Sequence, residues 1–435
     1  MKICMMTNTY LPHVGGVARS VSTFAHEYRK RKHRVLVVAP TFEGTPASKR
    51  TESFVERVPA IQKFNGSDFS VRMPMAAALS DRIDDFNADI IHAHHPFLLG
   101  DTALRVAANK NVPVIFTHHT LYEDYTHYVP FDSPTLKEIA INLSTYFANL
   151  CDGVIAPSES LAKLITDRGV TSPVRVVPTG IDVAAFARGD GARFRRSHEI
   201  ASEVFVVGHV GRLAAEKNLN YLAEAVALFL KGEPEARFLV VGTGPAEDEF
   251  KKLFEDRGVA DQLILAGKQT GPALHNAYAA MNGFAFSSKS ETQGMVLAEA
   301  MAAGLPVVAL DASGAREVVQ DEQNGFLLPS DAPATVFADR LGRLKKDSAL
   351  RESFTKKARI TADLFSQGRC AEQALAFYAD IQRATRRQRL LNEASPWGTL
   401  LHRINVEWEL LAGKASVVAQ AVTSERESTA IESSE

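Results

Sequence analysis

Cysteine is scarce. The 435 residues hold three, Cys4, Cys151 and Cys370, far apart and forming no CxxC pair. That excludes a disulfide scaffold, argues against a structural zinc site and fits a reducing compartment. Long apolar runs are missing as well: no stretch approaches the roughly 18 residues that a membrane span requires. The run from Ile3 to Met6 is too short for a secretory signal. No charge sign dominates either. A formal net charge of −2 gives no overall pull towards nucleic acid, so any basic surface must be local. What remains is ordinary for a globular protein, 46% hydrophobic and 23% charged, in a chain too long for one core. Two domains are expected, in a protein that is soluble or peripheral to a membrane.

The chain is organised around Gly283 to Leu310, GFAFSSKSETQGMVLAEAMAAGLPVVAL. Gly283 to Ser287 is short and apolar, as a buried strand is. Ser288 to Gly294 is a polar loop ending in glycine, and Met295 to Ala303 is a run of strong helix formers. Gly304 and Pro306 stop the helix before Val307 to Leu310 resumes an extended run. Two carboxylates punctuate this unit, Glu291 in the loop and Glu299 in the helix. Between them, the amides around Gly294, Met295 and Val296 open a helix and suit an anion. Carboxylates on either side of an anion site suit a ligand with hydroxyls at both ends and phosphate between. The spacing alone fits two solvated glutamates equally well.

SETQGMVLAEAMAAGLPVVA, followed by GAREVVQDEQNGFLLP, resembles the donor-site signature of the retaining glycosyltransferases of family 4. The resemblance implies a GT-B fold: two Rossmann-like, doubly wound α/β domains facing across a cleft. An acceptor domain over 1–182, a nucleotide-sugar domain over 183–364 and a helix near 365–390 crossing back onto the first are expected. An amphipathic segment and a disordered tail would occupy 391–435.

The N-terminal half reads as alternating strands and helices, the pattern of a parallel sheet. Strand candidates are Lys2 to Thr7, Arg34 to Pro40, Ala88 to His94 and Pro113 to Thr117; Asp152 to Ser158 and Val174 to Asp182 finish this half, with Ser158 reading as a helix cap. Gly15 and Gly16 open a helix over Val17 to Arg31, either as a plain tight turn or as a close approach to ligand. By resemblance this loop faces the acceptor and the donor phosphates. Arg29, Lys30, Arg31, Lys32 and Arg34 either complement the dipole at the end of that helix or attract an anionic membrane. Histidines crowd the strand ends: His92, His94, His95, His118, His119 and His127. They have no acidic or cysteine partner at ligand spacing, so no metal is expected.

The run Thr117 to Thr120, THHT, resembles the family pattern that places His119 at the catalytic position, touching the transferred sugar. His118 then packs elsewhere. LYEDYTHYVP resembles the acceptor segment of diacylglycerol glucosyltransferases, implicating Tyr122, Glu123, Tyr125, His127 and Tyr128. Aromatic bulk with polar tips suits a head group on a greasy stem, although core tyrosines show the same pattern.

In the C-terminal half, Val183 to Ala201 is polar and basic and reads as a linker. GRLAAEKN follows the strand Phe205 to Val210 and supplies Arg212 and Lys217. Charge-assisted hydrogen bonds from such a pair stabilise a leaving diphosphate by roughly 1.5–3 kcal/mol each. A surface ion pair with Glu216 is the plain alternative. FLVVGTGP ends in Gly242 and Gly244 without the third glycine of a dinucleotide fingerprint, so the pair is expected to shape the pocket floor. By resemblance Lys268, after the strand LILAG, lies near the base. No Asp-x-Asp triplet occurs, and no cofactor beyond the nucleotide-sugar co-substrate is expected.

Ser353 to Arg383 reads as helical and precedes a basic cluster of Arg383, Arg386, Arg387 and Arg389. Trp397, Leu400, Leu401, Ile404 and Trp408 recur at helical spacing, for packing or for a membrane interface. The expected reaction moves a hexose from a nucleotide-sugar, UDP-glucose foremost, to a lipid such as diacylglycerol or a glycosyl-diacylglycerol; phosphatidylinositol or a polysaccharide is the alternative acceptor, and a nucleotide-sugar-binding protein or an epimerase the alternative class. An anionic membrane surface is a further expected partner, but no nucleic acid. The expected location is cytoplasmic, peripheral at the inner face of the cell membrane.

Overall fold

The computed structural model describes residues 1–13, 15–41, 53–58, 60–61, 71–72, 78–123 and 133–392. They form two compact units. The first comprises Met1–Pro178 with the described residues from Ala371 onward, and the second Thr179–Cys370.

The first unit contains β1 (Lys2–Met6), α1 (Gly16–Lys30), β2 (Arg34–Pro40) and β3 (Val55–Val58). A small antiparallel pair follows, β4 (Ala60–Ile61) and β5 (Val71–Arg72). Then come α2 (Ala78–Phe86), β6 (Ile90–Ala93), α3 (Leu99–Lys110), β7 (Val114–Thr117) and α4 (Pro134–Asn149). The series ends with β8 (Gly153–Ala156), α5 (Glu159–Asp167) and β9 (Val174–Val176). Seven strands pair in parallel in the order β3-β2-β1-β6-β7-β8-β9. β6, β7 and β8 are buried at every residue, as strands covered on both faces must be. Leu36, Val38, Ile91, Phe116 and Val154 build the core on one face with Leu104, Phe147 and Leu161 from the helices. Ser133 and Ser158 cap α4 and α5 through their hydroxyls, as such residues at helix starts do.

A C-terminal helix, Gln367–Asn392, contributes Phe377, Tyr378 and Ile381 to the first unit. Tyr378 stacks edge-on against Tyr28 of α1, with hydroxyls 3.0 Å apart. Gly153 admits this helix because a Cβ there would stand 2.8 Å from the Phe377 ring.

The second unit begins with α6 (Val183–Ala187), α7 (Gly191–Ser197), β10 (Val206–Val210), α8 (Leu219–Gly232) and β11 (Arg237–Val241). It continues with α9 (Glu247–Asp256), β12 (Leu263–Leu265), α10 (Gly271–Ala279), β13 (Gly283–Phe286), α11 (Met295–Ala302) and β14 (Val307–Leu310). β15 (Gly325–Leu328), α12 (Ala334–Lys346) and α13 (Ser348–Leu364) complete it. Six parallel strands run in the order β12-β11-β10-β13-β14-β15. Two apolar cores sandwich this sheet. One uses Leu222, Phe229, Phe250 and Phe337, and the other Phe186, Tyr278, Leu297 and Met301.

Residues 183–201 are not a linker. Phe186, Phe194 and Ile200 are buried, and α6 and α7 pack on α10. Arg195 turns inward, donating to the carbonyls of Ala201, Ser202, Val204 and Ala280 and to Asn282 Oδ1. Its charge therefore satisfies backbone acceptors instead of marking a solvated segment. The stretch Ser353 to Arg383 is helical but interrupted, with helices Ser348–Leu364 and Gln367–Asn392. The chain breaks at Phe365 and Ser366, where Ile181 N donates to Phe365 O and Ser366 bridges Ile181. The segment containing Trp397 and Trp408, and the side chain of Arg389, lie outside the described residues.

Candidate active site

In the second unit the strand order reverses between β10 and β13, with β11 and β12 to one side and β14 and β15 to the other. Loops leaving adjacent strands at such a point diverge and open a crevice at their carboxyl ends. The loop after β10 carries Arg212 and Lys217, and the loop after β13 carries Glu291. Lys217 Nζ donates to Glu291 Oε1 at 2.7 Å, although 74 residues separate them. Ser288 Oγ donates to the same oxygen at 3.2 Å. Asn218 Nδ2 bonds Ser287 O at 3.1 Å, and Ser290 Oγ bonds Glu216 O at 3.1 Å, so the two loops are tied at several points. Arg212 is half-exposed, 4.0 Å from Glu216 Oε1, where an ion pair contributes little.

Three glycines make this arrangement sterically possible. Gly242 has φ +144°, and a Cβ there would stand 1.8 Å from Gly211 O. At Gly244 it would stand 2.1 Å from Leu213 O. Both therefore let the β11 loop close against the backbone on either side of Arg212. Gly294, at φ +72°, opens α11 with no side-chain cap among the described residues. Met295 and Val296 supply the first amides of that helix and are partly exposed. Glu299, further along α11, is buried and accepts from Tyr278 Oη at 2.9 Å. Lys268 is exposed just past Gly267, whose carbonyl accepts from Gly242 N.

In the first unit the histidines converge at the ends of β6 and β7. His92 Nε2 lies 2.6 Å from Thr117 Oγ1, and His92 Nδ1 lies 2.5 Å from Tyr378 Oη. His94 Nδ1 and His119 Nε2 are 2.9 Å apart. His95 Nδ1 accepts from Asn8 N at 3.1 Å. Burial, by disfavouring the imidazolium, pushes His92 and His95 down to about 3 and His118 to about 4. Burial and the neighbouring imidazoles hold His94 and His119 well below the usual range. All five are neutral near pH 7. Among the described residues no three His, Cys, Asp or Glu side chains are placed to hold a metal ion.

Gly15 precedes α1 and Gly16 begins it; a Cβ at Gly16 would meet nothing within 4 Å. Tyr122 packs edge-on against Phe97 at 5.4 Å, and burial raises its phenol well above the usual range. Glu123 pairs with Arg168 at 2.6 Å. Tyr125, His127 and Tyr128 lie outside the described residues.

Residues 14–185 match the family described as Glycosyltransferase Family 4, and residues 190–361 that described as Glycosyl transferases group 1. The chain is 30% identical to the alpha-monoglucosyldiacylglycerol synthase of Streptococcus pneumoniae over 75% of each chain. That of Acholeplasma laidlawii is 24% identical over 88% of this chain and 97% of its own. A GDP-mannose-dependent alpha-mannosyltransferase of Mycobacterium tuberculosis is 28% identical, over 76% and 84%. Among solved structures, Anabaena HepE in complex with UDP superposes with a TM-score of 0.70 at 21% identity, covering 87% of this chain and 100% of that one. The chain belongs to glycosyltransferase family 4. Its fold is GT-B.

Three features of this family 4 glycosyltransferase escaped the sequence reading. Gln293 brackets the peptide of Thr179: it accepts from Thr179 N and donates to Thr179 O, both at 2.8 Å and both buried. The Thr179 backbone is thereby tied to the loop between β13 and α11. Gly314, at φ +81°, packs where a Cβ would stand 2.7 Å from the Glu291 Cβ. The glycine in GAREVV was the available signal. His94 reaches His119 because β6 and β7 are neighbours with His92 opposite Ile115, a register that two strand-end histidines of like parity foreshadow.

Proposed function

We propose that this glycosyltransferase moves a hexose, glucose foremost, from a UDP-sugar to a membrane lipid such as diacylglycerol or a glycosyl-diacylglycerol. Transfer retains the anomeric configuration and uses no metal or other cofactor. The observation that carries the acceptor is the similarity to two alpha-monoglucosyldiacylglycerol synthases, one aligned over 97% of its length. The UDP donor is supported by the likeness to a solved structure in complex with UDP.

The chemistry follows from the residues at the β10–β13 crevice. As the glycosidic bond breaks, negative charge grows on the leaving diphosphate. Arg212, Lys217 and the amides of Met295 and Val296 stabilise it, preorganised donors being most effective where charge develops. Lys217 exchanges Glu291 for a phosphate oxygen, which frees Glu291 to orient sugar hydroxyls. Glu299 takes the ribose, with Tyr278 fixing its other oxygen. Gly242 and Gly244 set the pocket floor, and Lys268 lies towards the base. His119 contacts the transferred sugar, and Gly15 and Gly16 let backbone approach donor and acceptor. Tyr122, Glu123, Tyr125, His127 and Tyr128 receive the acceptor head group. The acceptor attacks from the face that the diphosphate leaves.

The enzyme works peripherally, at the inner face of the cell membrane. Lys30 and Arg31 are engaged with Glu27, and Arg29 and Arg34 lie over the Phe54 and Phe86 rings, so Lys32, with Arg386 and Arg387 on the C-terminal helix, is the better anchor for anionic lipid. No described helix is long and apolar enough to cross a membrane. A second reading, a GDP-mannose donor, is favoured by the mannosyltransferase relative.

Radiolabel transfer from a panel of UDP- and GDP-hexoses into mixed micelles containing diacylglycerol tests both readings. Label in lipid from UDP-glucose supports the first. Label from GDP-mannose alone selects the second, and donor hydrolysis without lipid product rejects the lipid acceptor.

A further inference from the structure

His94 and His119 belong to adjacent strand ends, and their rings stack with centroids 5.3 Å apart and 20° between planes. His94 Nδ1 meets His119 Nε2 at 2.9 Å. The opposite edge of His94 is different. The residue is fully buried, and its Nε2 has no hydrogen-bond partner among the described residues. The His92 ring covers it at 4.0 Å. Because both imidazoles are neutral, one supplies the proton of their shared hydrogen bond and the other the lone pair.

Two arrangements satisfy that bond. If His119 Nε2–H donates, His94 must carry its own proton on Nε2, burying an N–H with no acceptor. If His94 Nδ1–H donates, the orphaned atom is a bare lone pair. Buried N–H groups without a partner are rarer in proteins than under-used acceptors, because an unspent donor forfeits its whole hydration. The second arrangement is therefore the stable one. It fixes His119 with its proton on Nδ1 and its Nε2 lone pair occupied.

We propose that His94 is a positioning residue that holds His119 in the Nδ1–H tautomer, making it a hydrogen-bond donor to the substrate and denying it the role of general base. The proposal rests on the reading of His119 as the sugar-contacting group. Its consequence concerns proton traffic. When the acceptor oxygen bonds to the anomeric carbon, the bond from that carbon to the diphosphate oxygen breaks and its electron pair leaves with the diphosphate. The acceptor's hydroxyl proton cannot go to His119, so it passes to an oxygen of the departing diphosphate on the same face. His94 thereby favours same-face transfer without touching the substrate.

The test uses the full chain labelled with ¹⁵N-histidine, with the His119 signals assigned by their loss in His119→Ala. The expected spectrum shows a protonated Nδ1 and a bare Nε2. His94→Asn, whose amide can place an N–H near the former Nδ1, should keep that tautomer and turnover within about threefold of the parent. His94→Phe should lower kcat by about tenfold or more with donor KM within about twofold, while the thermal melt shows it folded. A wild-type His119 protonated on Nε2 would overturn the proposal, as would a folded His94→Phe that turns over normally. Unchanged turnover in His119→Ala would instead remove the role of His119 itself, and the tautomer signal, read without turnover, tells the two failures apart.

Discussion

Lys217 and Glu291 neutralise each other at 2.7 Å in a partly exposed crevice. A pair like this adds little to folding, since both groups keep access to water. In the proposed function its value lies in presenting an ammonium and a carboxylate at fixed positions, to be separated by a phosphate that binds one and a hydroxyl that binds the other. Lys217→Ala and Arg212→Ala are each expected to cost roughly 10- to 100-fold in kcat/KM for the donor, the equivalent of one charge-assisted hydrogen bond. Their melting temperatures should stay within a few degrees, roughly the effect of a surface substitution. Steady-state kinetics beside thermal melts checks both halves. The glycines divide just as sharply. Gly16→Ala meets open space and should leave stability intact, so any loss of turnover reports a ligand passing there. Gly242→Ala sets a Cβ against Gly211 O at a left-handed φ, and it should destabilise by more than about 2 kcal/mol in denaturant unfolding.

At the level of elements, the loop between β13 and α11 is governed by what surrounds it. Gln293 spends both ends of its amide on one peptide, that of Thr179, deep in the second unit. Gln293→Ala strands a buried N–H and a buried C=O, for an expected cost of about 2–4 kcal/mol. Hydrogen exchange at residues 179–182 and 288–294 should rise together, whereas exchange confined to one segment would show the two to be independent. None of this was legible beforehand, because an amide-to-peptide bracket across 114 residues leaves no periodicity. The strands were legible. Arg34 to Pro40 and Val307 to Leu310 match their observed bounds, since continuous apolar runs between turn residues belong to buried parallel strands. Residues 183–201 misled for the opposite reason. α6 and α7 span five and seven residues, too short to show a stripe, and an inward-facing arginine read as a solvated one. The crevice itself combines both lessons: its loops were visible as loops, but that Lys217 meets Glu291 depends on β10 and β13 being neighbours, a fact of topology.

Across the whole molecule, buried neutral histidines tie stability to pH. His92 and His95 fall to about 3 through burial, and His118 and His209 to about 4 through burial first and then the nearby Arg168 and Lys217 charges, from an ordinary 6.5. Below pH 6.5 the unfolded chain takes up protons that the folded chain refuses, so stability is full above that value and declines towards pH 3–4. Each histidine contributes up to about 1.4 kcal/mol per pH unit. Three of the four belong to the first unit and His209 to the second. Thermal melts between pH 7 and 4.5 should fall steadily, with hydrogen-exchange protection lost first in β6 and β7. Melts that are flat over this range would mean that these rings are solvated.

The central claim is that a nucleoside diphosphate binds at the strand-order reversal of the second unit, on Arg212, Lys217 and the start of α11. Calorimetric titration of UDP into the wild-type chain and into Lys217→Ala tests it without needing the acceptor. Saturable binding that weakens by about tenfold or more in the variant is the expected result. Equal affinity in the two proteins would place the diphosphate elsewhere and contradict the account.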